Sequence, residues 1–184
     1  MKILFVVKSM YFFSNLGLSQ ISSVLKKEGL VLDLVVLDQQ NIFDKIENFK
    51  PDIIAFSSTT GEHKNYIQIN KDIKNRYKNI FTIMGGAHPT FFPEVLDEAN
   101  LDAICIGEGE YAFLELIKNL EKRKKISHLK NIVVKGGKLK GLRPLIQDLD
   151  SLPYTDRELF YKEKDQSIMN FITQRGCPYN CSYC

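Results

Sequence analysis

The sequence is short of several residue types and patterns that mark special classes of protein. Its 184 residues contain no tryptophan, three histidines and four cysteines. No apolar stretch approaches the ~20 residues that span a bilayer, so no membrane span is expected. The net charge is only +3, and no basic stripe with interleaved aromatics points to nucleic acid. The apolar run at residues 3–7 is broken by Lys8 and Ser9 with no cleavage site after it. We therefore expect a buried strand in a cytoplasmic protein rather than a secretory signal.

Short apolar runs alternate with segments of helical periodicity over most of the chain. The apolar runs lie at residues 3–7, 31–37, 53–56, 80–84 and 103–106, and the helical segments lie at about 18–28, 42–48, 63–77, 93–98 and 110–122. Near-continuous apolar strands separated by helices are typical of a parallel sheet covered on both faces. The sequence therefore predicts a doubly wound α/β domain over residues 1–125, with a five-stranded parallel sheet. The loops after the strands should meet at one edge of that sheet, where ligands bind.

The pattern changes after residue 125. Residues 131–134 and 138–139 flank Lys135-Gly136-Gly137, which predicts a hairpin. The irregular stretch that follows is typical of a linker, so residues 126–165 are expected to form a hairpin and a linker. Residues 169–173 resemble one more buried strand, which leads into the cysteines at the end of the chain. Residues 166–184 are therefore expected to begin a second domain.

Three of the four cysteines lie in the last eight residues. Cys177, Cys181 and Cys184 are separated by three and then two residues. A secreted disulfide scaffold spreads its cysteines along the chain, and a zinc ribbon uses paired CxxC knuckles. Thiolates select soft metals and iron–sulfur clusters, and three thiolates leave one iron of a [4Fe–4S] cluster free for another ligand. Cys105, between two isoleucines of a predicted strand, is interpreted as a buried core residue.

Small and polar residues follow three of the predicted strands. They are Ser57, Ser58 and Thr59 after the third strand, Gly85, Gly86 and His88 after the fourth, and Gly107 and Glu108 after the fifth. Glycines and small hydroxyl residues let a large ligand approach the backbone closely, although any α/β sheet needs some glycine here. His88 is interpreted either as a ligand contact or as a helix cap. Glu108 and Glu110 are interpreted either as cofactor contacts or as acidic residues that favour the start of the last helix.

The cysteine spacing matches the CxxxCxxC signature of the radical S-adenosylmethionine superfamily, and the loops resemble those of the flavodoxin-like cobalamin-binding domains. The resemblance covers essentially the whole chain, which is identified as an N-terminal piece of such a protein. It implies that Cys177, Cys181 and Cys184 hold a [4Fe–4S] cluster whose open iron binds S-adenosylmethionine. It also implies that Tyr183 packs against the adenine and that the serine and glycine loops hold the nucleotide tail of cobalamin. The loop at residues 8–13 lacks the family's DxHxxG histidine, so cobalamin is expected without a histidine ligand.

The resemblance implies a methyltransferase that acts on an unactivated carbon or phosphorus centre. One alternative is a cyclase or ring-rearranging enzyme of the tetrapyrrole-cyclase type, and another is a cofactor-binding module without catalysis. The parent protein is expected to take a small-molecule substrate and to need an electron donor for its cluster. The piece ends at Cys184 and is expected to be inactive alone, because it contains almost none of the catalytic barrel. Nothing in the sequence indicates an oligomeric state.

Overall fold

The computed structural model describes residues 1–10, 15–161, 171–177 and 179–182. Its strands are β1 (Lys2–Val7), β2 (Val31–Val36), β3 (Ile53–Ser57), β4 (Phe81–Gly85), β5 (Ala103–Cys105) and β6 (Ile132–Val134). They form one sheet in the order β2-β1-β3-β4-β5-β6. The first five strands are parallel, and β6 runs antiparallel to β5. The predicted doubly wound α/β fold is confirmed, and a sixth strand extends its sheet.

Helices connect the strands and cover both faces of the sheet. They are α1 (Leu16–Lys27), α2 (Ile42–Phe49), α3 (His63–Arg76), α4 (Ala87–Phe91), α5 (Val95–Glu98), α6 (Glu110–Glu121) and α7 (Arg157–Phe160). Helix α5 lies within the helix that the sequence predicted over residues 93–98, and a second short helix, α4, precedes it where a loop was expected. Pro93 separates them, because a proline disfavours helical backbone at the residue before it. In the described part of the chain, no helix is both long and apolar enough to cross a membrane.

Alternating strand residues divide the core into two layers, one on each face. Ile3, Phe5 and Val7 pack against α1, α6 and α7. Leu4 and Val6 pack with α2, α3 and α5 on the opposite face. Successive side chains on a strand point to opposite faces, so a strand that is covered on both sides must be apolar at every position. This requirement explains the continuous apolar runs of the sequence.

The hairpin predicted around residues 135–137 is wrong, because its first strand pairs elsewhere. The turn forms, with the Gly137 amide donating to the Val134 carbonyl over 2.8 Å, but residues 138–139 have no regular secondary structure. Ile132–Val134 instead pairs with β5. This pairing gives the last parallel strand a partner, and Ile132 and Val133 are buried in it, whereas residues 138–139 are exposed.

The chain after β6 packs back onto the first layer instead of leaving it as a linker. The Phe160 ring packs 6.1 Å from that of Phe5, and the Asp156 amide donates to the Ser19 carbonyl over 2.9 Å. The apolar core therefore continues past residue 125.

The strand predicted over residues 169–173 does not form at residues 171–173, which have no regular secondary structure. Residues 169 and 170 lie outside the described part. Phe171 and Ile172 are exposed. A lone strand of a second sheet has no neighbour to pair with, so it gains no ladder hydrogen bonds.

Candidate functional site

The carboxyl ends of the parallel strands form one edge of the sheet, and the strand order reverses there between β1 and β3. β2 lies on one side of β1, whereas β3, β4 and β5 lie on the other. The loops after β1 and β3 therefore leave in opposite directions and open a crevice, the usual ligand position in such sheets. Of the predicted loop at residues 8–13, residues 8–10 are described, and the Lys8 amide donates to the Tyr66 hydroxyl over 2.9 Å.

Ser58 and Gly86 bring the loops after β3 and β4 into direct contact. The Ser58 amide donates to the Gly85 carbonyl, and the Ser58 carbonyl accepts from the His88 amide, both over 2.9 Å. Gly86 has a φ of 96°, and a β-carbon there would lie 2.8 Å from the Ser58 carbonyl oxygen. Glycine is therefore required at this position for backbone packing. Ser58 is buried, and its hydroxyl donates to the carbonyl of Thr59, which is itself exposed.

Two residues outside the predicted site, Thr90 and Asn131, connect the next loops. The Thr90 hydroxyl donates to the Gly86 carbonyl over 2.8 Å and accepts from the Gly107 amide over 3.2 Å. The Asn131 amide group donates to the Ile106 carbonyl over 2.7 Å. Gly107 has a φ of 74°, which glycine adopts without strain. Thr90 lies four residues after Gly86, so the sequence alone could have placed it near this edge of the sheet. Asn131 reaches the edge only because β6 pairs with β5, which the sequence did not predict.

A cleft of about 1940 Å³ opens beside these loops, on the face that α1 and α6 cover. Small residues at the carboxyl ends of adjacent strands line it, namely Ala55, Ser57, Gly85 and Cys105. A β-carbon on Gly85 would lie 3.7 Å from that of Cys105, which is an ordinary contact. Gly85 therefore avoids no clash but leaves open space. The cleft exceeds the about 300–1,000 Å³ of most small-molecule sites, so it has room for a large cofactor.

Glu108 and Glu110, at the start of α6, both bind Arg175. Arg175 donates one guanidinium hydrogen bond to Glu108 over 2.8 Å and another to Glu110 over 2.5 Å. The second Glu108 oxygen accepts from the Ile146 amide over 2.8 Å. Burial lowers the pKa of Arg175, but the bonds to the two carboxylates outweigh it and hold that pKa above its ordinary value. Glu110 is buried, and neither glutamate was predicted to pair with Arg175.

His88 lies apart from the cleft, on the side of α3. Its ring stacks on His63 at 4.0 Å and on Phe92 at 5.2 Å, and its Nδ1 lies 3.3 Å from the Thr60 hydroxyl. Burial and the nearby His63 hold the pKa of His88 below its usual value, against the opposing effect of two glutamates. His88 is buried and is not among the residues that line the cleft. Its predicted contact with a cofactor stays a prediction.

The two described cysteines of the motif, Cys177 and Cys181, are exposed and free. Cys184 and Tyr183 lie outside the described residues. Within the described ranges, no cluster of three or more histidine, cysteine or acidic side chains forms a metal site. Cys105 is buried in β5, as predicted, and burial together with Glu110 raises the pKa of its thiol to about 12. That thiol lines the cleft, and its raised pKa favours the protonated form at neutral pH.

Comparisons with known proteins give the family of the first domain. The family described as B12 binding domain matches residues 3–117, which run from β1 into α6. An uncharacterized methyltransferase of Pyrococcus horikoshii is 34% identical over 92% of this chain and 40% of its own length. An anaerobic magnesium-protoporphyrin IX monomethyl ester cyclase of Rubrivivax gelatinosus is 32% identical over 80% of this chain and 29% of its own length. The chain thus spans less than half the length of these relatives.

A solved structure supports the fold. The radical S-adenosylmethionine methyltransferase TsrM of Kitasatospora setae, with cobalamin and a [4Fe–4S] cluster bound, superposes with a TM-score of 0.67. The match covers 83% of this chain and 30% of that protein, at 12% identity. Because the family match covers more than half of the sequence, the chain belongs to the B12 binding domain family, as its resemblance to cobalamin-binding radical S-adenosylmethionine proteins predicted.

Proposed function

We propose that this chain is the cobalamin-binding region, with the start of the cluster motif, of a cobalamin-dependent radical S-adenosylmethionine methyltransferase. The observation that carries the proposal is the cleft at the carboxyl edge of the sheet. It is lined by Ser57, Gly85 and Gly86 and also by residues 171–176, which come directly before Cys177. The region proposed to hold cobalamin and the segment that leads into the proposed cluster motif thus face one space. The relative from Pyrococcus horikoshii, named as a methyltransferase, supports methyl transfer as the reaction.

The residues of the cleft fit the nucleotide tail of cobalamin. A flat base at the end of a long chain needs apolar walls and an open floor. Leu18 and Ile21 of α1 and Phe113 of α6 supply apolar walls, and Gly85 keeps the floor open. Bound cobalamin would supply a carrier for the methyl group, and the cluster with S-adenosylmethionine would supply a substrate radical. The chain's own residues bind and orient these groups.

No histidine of this chain is proposed to coordinate the cobalt. His88 is held between His63 and Phe92 and does not line the cleft. The described part of the loop after β1, residues 8–10, contains no histidine, and the sequence of residues 11–13 contains none either. The proposal includes a small-molecule substrate, an electron donor for the cluster and a cytoplasmic location.

Cyclisation of a tetrapyrrole is the second candidate reaction, and the relative from Rubrivivax gelatinosus favours it. The cleft supports both candidates equally, because both reactions need the same cofactor-binding region. An assay of the full-length protein with labelled S-adenosylmethionine distinguishes the two reactions. A methyltransferase would place the labelled methyl group in its product, whereas a cyclase would form a new ring.

Substitution of Gly85 tests the cleft as the cobalamin site. We expect the chain to bind cob(II)alamin, and Gly85→Val to weaken binding at least tenfold, because two methyl groups would enter the open floor. A tenfold loss corresponds to about 1.4 kcal/mol. Equilibrium dialysis measures the affinity. The electron paramagnetic resonance spectrum of the bound cofactor should show no nitrogen splitting from a protein histidine.

Gly61→Val is the matched control. Gly61 is exposed in the loop after β3, a β-carbon there meets nothing within 4 Å, and it does not line the cleft. Its substitution should leave the affinity unchanged. Equal affinities in Gly85→Val and the unsubstituted chain would contradict the placement of the tail, and no binding by the unsubstituted chain would contradict the proposed function.

A further inference from the structure

The segment that leads into the cysteine motif has little regular structure to hold it in place. Residues 171–176 form neither helix nor strand, and Phe171 and Ile172 are exposed by 69% and 58%. The Arg157 guanidinium lies 4.6 Å from the centre of the Phe171 ring, a contact at the start of the segment. The end that adjoins Cys177 is held by Arg175, which reaches the start of α6.

The two carboxylates that bind Arg175 lie two residues apart, Glu108 in the loop after β5 and Glu110 in the first turn of α6. Arg175 uses two nitrogen atoms, one for each glutamate. Glu108 also accepts the Ile146 amide, so this side chain is held from two sides. Glu110 lies in the first turn of α6 and its side chain is only 5% exposed. The guanidinium is therefore positioned by Glu110, at the start of α6, and by Glu108, which also binds the Ile146 amide.

A buried carboxylate makes this contact selective. A carboxylate withdrawn from water is strongly disfavoured unless a charged or hydrogen-bonded partner compensates it. Among the described residues, the structure shows one such partner for the Glu110 carboxylate, the guanidinium of Arg175. The pair of Arg143 with Glu115 is a useful comparison, since it has the same residue types and a distance of 2.5 Å but exposed fractions of 36% and 42%. An exposed pair contributes little.

We infer that Arg175 is a positioning residue. Its hydrogen bonds to Glu108 and Glu110 fix the cysteine-bearing segment over the cofactor cleft. The inference rests on the proposed function for the identity of the cleft's ligand. Residues 171–176 line the cleft, so the two hydrogen bonds of Arg175 set the distance between Cys177 and a ligand in the cleft. Loss of these bonds would free the segment that forms one wall of the cleft.

A spin label on Cys177 reports the position of the segment without any cofactor. Cys181→Ser and Cys184→Ser leave Cys177 as the accessible thiol, because Cys105 is buried. We expect an immobilised label in this background, and at least a threefold faster label motion in Arg175→Ala and in Glu110→Gln. Arg175→Lys, which keeps the charge but not the two-pronged geometry, should restore part of the immobilisation. Arg143→Ala, the matched control, should have no effect.

The rate of cobalamin release from the unlabelled chain tests the second half of the inference. Arg175→Ala should release cobalamin at least tenfold faster than the unsubstituted chain, because one wall of the cleft has been freed, and Arg143→Ala should not. A mobile label in the unsubstituted chain, or an unchanged label in both Arg175→Ala and Glu110→Gln, would overturn the positioning role. Normal binding with an unchanged release rate would overturn the role at the cleft and leave the proposed function standing. Absence of cobalamin binding would refute the proposed function, while the motion of the label would still test whether Arg175 positions the segment.

Discussion

At the scale of single residues, the described cysteines fall into two chemical environments. Cys177 and Cys181 are exposed, whereas Cys105 is buried in β5. Burial, and then the nearby Glu110 carboxylate, raise the pKa of the Cys105 thiol from 9.0 to about 12. The thiolate is the reactive form of cysteine. We therefore expect iodoacetamide at pH 8 to modify Cys177 and Cys181 and to leave Cys105 unmodified, as measured by peptide mass spectrometry.

The unfolded chain provides the control, because in denaturant Cys105 should react like the other two.

The raised pKa of Cys105 also has a consequence for stability. Above pH 9 the unfolded state loses the Cys105 proton and the folded state keeps it, so the stability from this group is present below pH 9 and declines between about pH 9 and 12. Rapid labelling of Cys105 in the folded chain at pH 8 would contradict the prediction.

Gly85 and Gly86 show how two adjacent residues of one motif serve different purposes. Gly86 allows the backbones of the β3 and β4 loops to approach closely, since a β-carbon there would clash with Ser58. Gly85 meets no such obstacle and keeps the cleft open. The motif suggested both as ligand contacts, and only the surroundings of each distinguish a structural glycine from one that makes room for a ligand.

At the scale of elements, the attachment of α7 to α1 depends on a buried carboxylate. The Asp156 side chain accepts the Ser22 hydroxyl over 2.5 Å and the Lys26 ammonium over 2.9 Å. It also caps α7 by accepting the Leu159 amide over 3.1 Å. Hydrogen bonds to charged groups contribute about 1.5–3 kcal/mol each. We expect Asp156→Ala to lower the free energy of unfolding by about 2–4 kcal/mol, measured by urea denaturation.

Glu158→Ala is the control for this element. Glu158 also binds Lys26, over 3.2 Å, but its side chain is 77% exposed, so its loss should cost about 0.5 kcal/mol or less. Burial lowers the pKa of Lys26, yet the bonds to Asp156 and Glu158 outweigh it and raise that pKa above 10.5. The stability that is linked to the Lys26 proton is therefore fully present as the pH falls below 10.5, and it is lost as the pH rises through the raised pKa. Equal losses in both variants would show that burial of Asp156 does not matter.

At the scale of the whole molecule, the apolar core extends beyond the predicted boundary at residue 125. Leu129, Ile132 and Phe160 are each 2% exposed or less and belong to the layer under α1 and α6. Burial of one large apolar side chain contributes about 1.5–3 kcal/mol. We expect residues 1–125 alone to be at least 4 kcal/mol less stable than residues 1–161, or to aggregate through the uncovered edge of β5.

Thermal denaturation followed by circular dichroism would measure this difference. Residues 1–161 should unfold in a single cooperative transition, and residues 1–125 should unfold at a much lower temperature. A shorter chain as stable as the longer one would show that β6 and α7 are appended to a complete domain, as the sequence pattern suggested.

The sequence by itself determined the order of strands and helices, the covered parallel sheet and the position of the loops at one edge. These features follow from local periodicity, because a strand buried on both faces must be continuously apolar. It also placed Cys105 in the core and identified the glycine and serine loops. The spacing of the three terminal cysteines was visible without any structure.

Only the tertiary structure decided the contacts between segments that are far apart along the chain. β6 joined β5 because an uncovered edge strand gains hydrogen bonds and buries apolar surface when it is paired, which no local pattern records. Asp156 met Ser22, and Arg175 met Glu110, across more than 60 residues. Charged residues carry no periodic signal for their partners. Their pairing is set by where the folded backbone brings them and by the cost of burying a carboxylate without a partner.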